Sequence, residues 1–144
     1  MPRGSLVLIL ALTIVNCVSV DTDLTPEYVS PEPEYLNSGS SLSEGVRYGE
    51  LLFISGKLGT RPERGIEPET RTALTKIKDA LEEFGSSMDR VLKCTVFLAD
   101  MTEWGAMNEV YKEFFPENKP ARAAVGVNGL AAQARVEIEC VAAA

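Results

Sequence analysis

From Gly45 onward the chain switches repeatedly between two hydrophobic periods. Val46-Arg47-Tyr48 and Leu51-Leu52-Phe53-Ile54-Ser55 are short strand-like runs, and Gly49-Glu50 between them predicts a tight hairpin. Leu74, Ile77, Leu81 and Phe84 then recur at spacings of 3, 4 and 3, the period of one helical stripe, and Gly85 marks its end. Alternation returns from Val91 to Leu98. Asp100 with Glu103 three residues later makes a capping-box-like start for a second helix, whose inner face reads as Trp104, Met107, Val110, Tyr111 and Phe114. Pro116 and Pro120 break that helix. Two further strands are expected over 121–127 and 134–141, with Asn128-Gly129 opening the turn region between them.

The resulting order is ββαβαββ, an α+β pattern. Two helices cannot cover both faces of such a sheet, so they are expected on the face bearing Leu92, Cys94, Val96, Val136, Ile138 and Cys140. The opposite face then holds Lys93, Thr95, Arg122, Glu137 and Glu139, mixed with Phe97, Ala124 and Val141. Such a face is either wet or covered by another subunit, and the short side chains of Ala121 to Ala124 suit close approach of a second chain.

Ahead of this domain, Arg3 is followed by an apolar run from Leu6 to Val15 broken by Thr13, and then by Asn16-Cys17-Val18-Ser19. Residues 1–20 therefore read as a secretory signal peptide, too short to span a bilayer comfortably, with a mature start near Val20 or Asp21. An ordinary N-terminal strand or buried helix is the alternative. Lipid attachment at Cys17 is less favoured, because Asn16 is larger than the residue usually tolerated before a lipidated cysteine. Residues 21–41, with Pro26, Pro31, Pro33 and Asn37-Ser38-Gly39-Ser40-Ser41, read as a flexible acidic, proline-rich tether, leaving 42–144 as the folded domain. The protein is thus expected to be exported, periplasmic or secreted, with no membrane span once the leader is removed. An oxidising compartment would allow Cys94 and Cys140 to pair. Both alternate with polar residues and share a face with Leu, Val or Ile, so they are read instead as small buried hydrophobes.

Composition narrows the chemistry. At 144 residues, 45% hydrophobic and 24% charged, the chain is a single globular domain, and a formal net charge of −7 disfavours nonspecific nucleic-acid binding. There is no histidine, which removes Ser/His/Asp and Cys/His nucleophile systems, His-ligated zinc and imidazole as general base. The three cysteines have no C-x-x-C spacing, so neither a zinc ribbon nor a thioredoxin-type site is supported. No metal site is expected from these residues.

Carboxylates, arginine, amides and hydroxyls remain. Arg122 lies in Pro120-Ala121-Arg122-Ala123-Ala124-Val125, and fifteen positions later Glu137 lies in Val136-Glu137-Ile138-Glu139. Each writes a charge into a run that otherwise reads as sheet, and a buried charge needs a partner or a ligand. By sequence alone, an ion pair of Arg122 with Glu137 or Glu139 and a bidentate grip of Arg122 on a ligand carboxylate stand level.

Leu52-Phe53-Ile54-Ser55-Gly56, Lys93-Cys94-Thr95-Val96-Phe97-Leu98-Ala99-Asp100-Met101, Met107-Asn108-Glu109-Val110-Tyr111, Pro120-Ala121-Arg122 and Val136-Glu137-Ile138-Glu139 follow one another in an order that resembles the RidA family, also called YjgF/YER057c/UK114 or L-PSP. The resemblance covers 42–142. It implies a chorismate-mutase-like α+β fold, a mixed sheet with two helices on one face, assembled as a homotrimer with sites in clefts between subunits. It also implies cofactor-independent hydrolysis of reactive 2-imino and 2-enamino acids, such as 2-aminoacrylate and 2-iminopropanoate, to 2-oxo acids and ammonia. The alternative is a module of the same fold that binds small carboxylates without turnover.

By that resemblance Arg122 holds the substrate carboxylate, Glu137 positions or activates water, and Ser55 and Asn108 line or support the pocket. Two positions depart from the family pattern. Leu42 stands where an aromatic residue, often tyrosine, is usual, and Ala124 stands where the best-known deaminases carry cysteine. Only backbone groups are left to bind substrate or water there, which puts the identity of the substrate in doubt more than the class of reaction.

Overall fold

The computed structural model describes residues 30–60 and 64–144; the expected signal peptide and the tether as far as residue 29 lie outside the described residues. The strands are β1 (Glu34–Ser38), β2 (Ser43–Tyr48), β3 (Leu51–Leu58), β4 (Val91–Leu98), β5 (Ala121–Gly126) and β6 (Val136–Ala143), with helices α1 (Ile66–Glu83) and α2 (Trp104–Phe114). They build a six-stranded sheet in the order β1-β2-β3-β6-β4-β5. Every pairing is antiparallel except that of β4 with β5, which are joined by the crossover containing α2. This is the expected mixed α+β sheet.

Each element has a local cause. The β2–β3 hairpin closes over Gly49-Glu50, with Tyr48 opposite Leu51 and Gly49 at φ 57°, a conformation that suits glycine. Helix α1 ends in a Schellman motif: Ser86 N–H donates to the Leu81 carbonyl (2.7 Å), Gly85 N–H donates to the Glu82 carbonyl (3.2 Å), and Gly85 takes φ 80°. Leu74, Ile77 and Leu81 of α1 and Met107 of α2 are fully buried against Leu52, Val96, Leu98, Val136 and Ile138 of the sheet. The helices thus share one face, with α1 lying across β3 and β6 and against α2.

Five expectations need correction. The end of the expected tether is strand β1, where Glu34 pairs with Arg47 (3.3 Å), Asn37 Nδ2 donates to Glu83 (2.8 Å) and Leu36 packs on the core. Its apolar side chains, Tyr35 and Leu36, are adjacent and gave no period-2 signal. Leu92 is half exposed, because a bulge sets Leu92 and Lys93 against Val141, which keeps Val91 inside and turns Leu92 out. Trp104 is also exposed rather than part of the inner face of α2. The capping box does not form: Asp100 accepts from Thr102 N–H (2.8 Å), starting a 3-10 turn over Met101–Glu103, while Arg135 takes the Glu103 carboxylate.

The cysteines are the fifth case. Cys94 and Cys140 are both buried, as expected, but β4 and β6 are neighbours in a register that sets the two directly opposite, with α-carbons 4.1 Å apart and the sulfurs bonded as a disulfide. Periodicity gave their face and could not give their pairing.

Candidate active site

Strand β5 runs parallel to β4 with Arg122 beside Cys94, Ala124 beside Val96 and Gly126 beside Leu98. Neighbours in register project to one face, and Cys94, Val96 and Leu98 are buried under the helices. Arg122 and Ala124 therefore lie on the helix side of the sheet, not on the open face expected for them. The run Ala121 to Ala124 carried no alternation from which the face could be read.

On that side α2 supplies the surroundings of the guanidinium. Arg122 Cζ lies 4.4 Å from the centre of the Tyr111 ring and 6.0 Å from that of Trp104. Trp104, Asn108 and Tyr111 stand four and three residues apart, so one stripe of α2 carries all three side chains. Asn108 is partly buried in the middle of that stripe. Among the described residues no carboxylate pairs with Arg122. Its cation is held on aromatic faces, which leaves the in-plane N–H donors for another acceptor. Burial pushes the Tyr111 phenol up to about 12, with Arg122 pulling the other way, so the ring is neutral beside the guanidinium. The phenol oxygen is buried and has no hydrogen-bond partner among the described residues.

Glu137 is set elsewhere. It pairs across β6–β4 with Phe97 and across β6–β3 with Leu58. Phe97 and Cys94 are three residues apart on a regular stretch of β4, so Glu137 and Arg122 project from opposite faces. Between Ile54 and Lys57 the β3–β6 register slips, placing Ser55 and Gly56 in a bulge. A Cβ on Gly56 would lie 2.1 Å from Glu137 Oε1, so the carboxylate rests in the space that glycine leaves. Ser55 lies beside it but its hydroxyl donates to the Ser43 carbonyl (2.6 Å). Leu42 stands just before β2 and is exposed.

The six candidates thus fall into two groups: Arg122, Asn108 and Ala124 on the helix side of β5, and Glu137 and Ser55 on β6 and β3, with Leu42 in the turn before β2. One chain does not bring the groups together. The Arg122–Glu137 and Arg122–Glu139 ion pairs are absent among the described residues. Other charges are consumed structurally. Glu69, fully buried, accepts from Arg135 N–H (2.7 Å), and the Arg135 side chain holds Glu103 through Nε (2.8 Å), tying the start of β6 to both helices. Among the described residues no group of His, Cys, Asp and Glu side chains is placed to hold a metal ion.

Sequence reasoning missed Gly56, Trp104 and Tyr111 as parts of these groups. For Gly56 the available signal was a glycine inside a strand run, a mark of a bulge or a close approach. For the aromatic pair there was none, since helical spacing assigned both to the core.

The open face of the sheet, away from the helices, bears Leu51, Phe53 and Val125 exposed, and around Phe53, Lys93, Thr95, Glu139 and Val141 it forms an open concavity of about 260 Å³. No helix of the described chain is long and apolar enough to cross a membrane.

Comparison with known proteins is consistent across sequence and structure. A family profile described as Endoribonuclease L-PSP matches residues 34–144, which takes in β1. A RutC family protein of Pyrococcus horikoshii is 42% identical over 106 residues, 69% of this chain and 84% of that protein. The 2-iminobutanoate/2-iminopropanoate deaminase of Capra hircus is 40% identical over 106 residues, 69% of this chain and 77% of that protein. The crystal structure of E. coli TdcF with bound serine superposes with a TM-score of 0.70 at 28% identity, covering 76% of this chain and 93% of that one. With the profile spanning every strand and both helices, the chain belongs to the RidA/YjgF/L-PSP family.

Proposed function

We propose that this protein hydrolyses reactive 2-imino and 2-enamino acids, of the 2-aminoacrylate and 2-iminopropanoate type, to 2-oxo acids and ammonia, in sites completed between the subunits of a homotrimer. The observation that carries the reading is Arg122, a partly buried guanidinium held on two aromatic rings and without a carboxylate partner among the described residues. A guanidinium so held offers a bidentate, charge-assisted grip on a carboxylate at any working pH. Relatives named as deaminases of 2-imino acids, and a related structure holding serine, itself a carboxylate, support the same reading.

In this scheme the substrate carboxylate sits on Arg122, and Glu137, supplied from an adjacent copy, accepts a proton from water as the water oxygen bonds to C2 of the protonated imine. That proton passes to the amino nitrogen of the carbinolamine. The C2–N bond then breaks, ammonia leaves and the second hydroxyl proton is released as the 2-oxo acid forms. An enamine first takes a proton at C3 to become the imine. Hydrolysis leaves C2 at the same oxidation level and calls for no redox cofactor. Contact between copies is supported by the exposed apolar side chains Leu51, Phe53 and Val125 on the sheet face that the helices leave open.

Export is also proposed. The apolar leader pattern and the Cys94–Cys140 disulfide support it together, since cytosolic thiols are kept reduced. The test of the activity is a coupled assay in which an amino-acid oxidase generates 2-imino acids and semicarbazide traps what remains. Faster loss of imine with the protein present is expected, and a rate equal to the uncatalysed one across several side chains would leave a carboxylate-binding module instead.

A further inference from the structure

Beside Arg122 the helix side of β5 offers no polar group from its own side chains. Ala124 follows at the next position on that face, and Gly126 after it lies so close to Met101 that a Cβ there would meet Met101 Cγ at 2.7 Å. Met101 and Trp104 are 46% and 42% exposed, although both are large and apolar. One turn of chain thus carries two uncovered apolar side chains, Trp104 beside the Arg122 cation and Met101 against Gly126 further along β5, and among the described residues no carboxylate takes the N–H edge of that cation. Scattered exposed hydrophobics need no explanation, whereas an exposed indole beside a guanidinium without a carboxylate partner among the described residues, followed along β5 by Ala124, Gly126 and Met101, matches one ligand chemistry, a carboxylate carrying an apolar tail.

We propose that Trp104 is a specificity-determining residue: with the ligand carboxylate on Arg122, the substituent at C2 runs along Ala124 toward Trp104 and Met101, so the site favours branched or aromatic side chains over a methyl group. The inference rests on the reading of Arg122 as a carboxylate grip. It extends that reading from a shared functional group to a class of substrate. Ala124 is part of the reason, because a longer side chain there would fill the path between the guanidinium and the indole.

Titration calorimetry on the full chain with pyruvate and with 4-methyl-2-oxopentanoate tests this without requiring turnover. The wild-type protein is expected to bind the branched acid on the order of 10-fold tighter, the discrimination that a small apolar difference typically supports. In Trp104→Ala the two affinities should come within about 3-fold of each other, on top of whatever loss both acids share when one of the two rings beside Arg122 is removed. Trp104 is the only tryptophan of the chain, so its emission in the wild type reports the same event directly: a saturable change with the branched acid is expected. Equal affinities in the wild type, a preference that survives Trp104→Ala, or no binding of either acid would overturn the inference. Preference without imine hydrolysis would sink the deaminase reading alone, and hydrolysis without preference would sink this inference alone.

Discussion

Arg122 and Glu137 project from opposite faces of one sheet, with β4 between them: Cys94 stands beside Arg122 and Phe97 beside Glu137. A reaction that uses both side chains at one substrate therefore draws them from different copies. Chains carrying Arg122→Ala or Glu137→Gln are each expected to keep on the order of a hundredth of wild-type activity when pure. Co-expressed in equal amounts with different tags, they should regain roughly a quarter of wild-type activity, because each intact site needs one suitable chain on either side of a symmetric interface. Mixtures no more active than their parents would place both groups in sites built by one chain.

Gly56 offers a way to move Glu137 without changing it. A methyl group there would lie 2.1 Å from Glu137 Oε1, and the carboxylate end of a flexible side chain can swing away at little cost to the fold. Gly56→Ala should therefore lower kcat/KM at least about 10-fold, as a misplaced catalytic group does. The melting temperature should shift by only a few degrees, roughly the effect of 1 kcal/mol in a domain of this size. A variant with full activity would show that the position of Glu137 does not matter.

The buried Cys94–Cys140 disulfide closes a sequence separation of 46 residues, for which the chain-entropy account gives about 4 kcal/mol of stabilisation. Without reductant, alkylation of the unfolded protein followed by mass spectrometry should leave both cysteines unmodified. Cys94→Ala with Cys140→Ala should lower stability by about 2 to 4 kcal/mol in denaturant titration. Alkylation of both cysteines in protein recovered from its native compartment would contradict the pairing and weaken the case for export.

The phenol of Tyr111 supplies a pH signature. Burial raises it to about 12, whereas an unfolded tyrosine ionises near about 10. The folded state thus keeps a proton that the unfolded state has lost, so the stabilising contribution is whole below about pH 10 and is lost as the pH rises to about 12. Tyr111→Phe should flatten the decline of melting temperature across that window relative to wild type. An unchanged decline would mean that the ring is not buried as described.

How much of this was legible in the sequence depended on whether a signal was local. The hairpin over Gly49-Glu50, the α1 stripe ended by Gly85 and the buried face of β4 and β6 all follow from spacing within a few residues. What failed was set by neighbours distant in sequence. The face of Arg122 depends on parallel register with β4, the disulfide on β4 and β6 being adjacent, and the outward turn of Leu92 on a bulge against Val141. Strand β1 is held by its ladder with β2 and by Arg47 and Glu83, all of them outside the segment itself. For the site, charges inside strand-like runs drew attention to Arg122 and Glu137. Their separation, and the aromatic cradle that explains why Arg122 needs no carboxylate, are visible only once α2 is packed against β5.

The most direct test of the account is the rate of 2-imino acid hydrolysis by Arg122→Ala set beside wild type, with circular dichroism to establish that the variant is folded. If Arg122 grips the substrate carboxylate, kcat/KM should fall about 100-fold, the scale of losing a charge-assisted bidentate contact, and Arg122→Lys should recover only part of it because an ammonium cannot reproduce the fork. A folded Arg122→Ala protein that clears imines as fast as wild type would contradict the account at its centre.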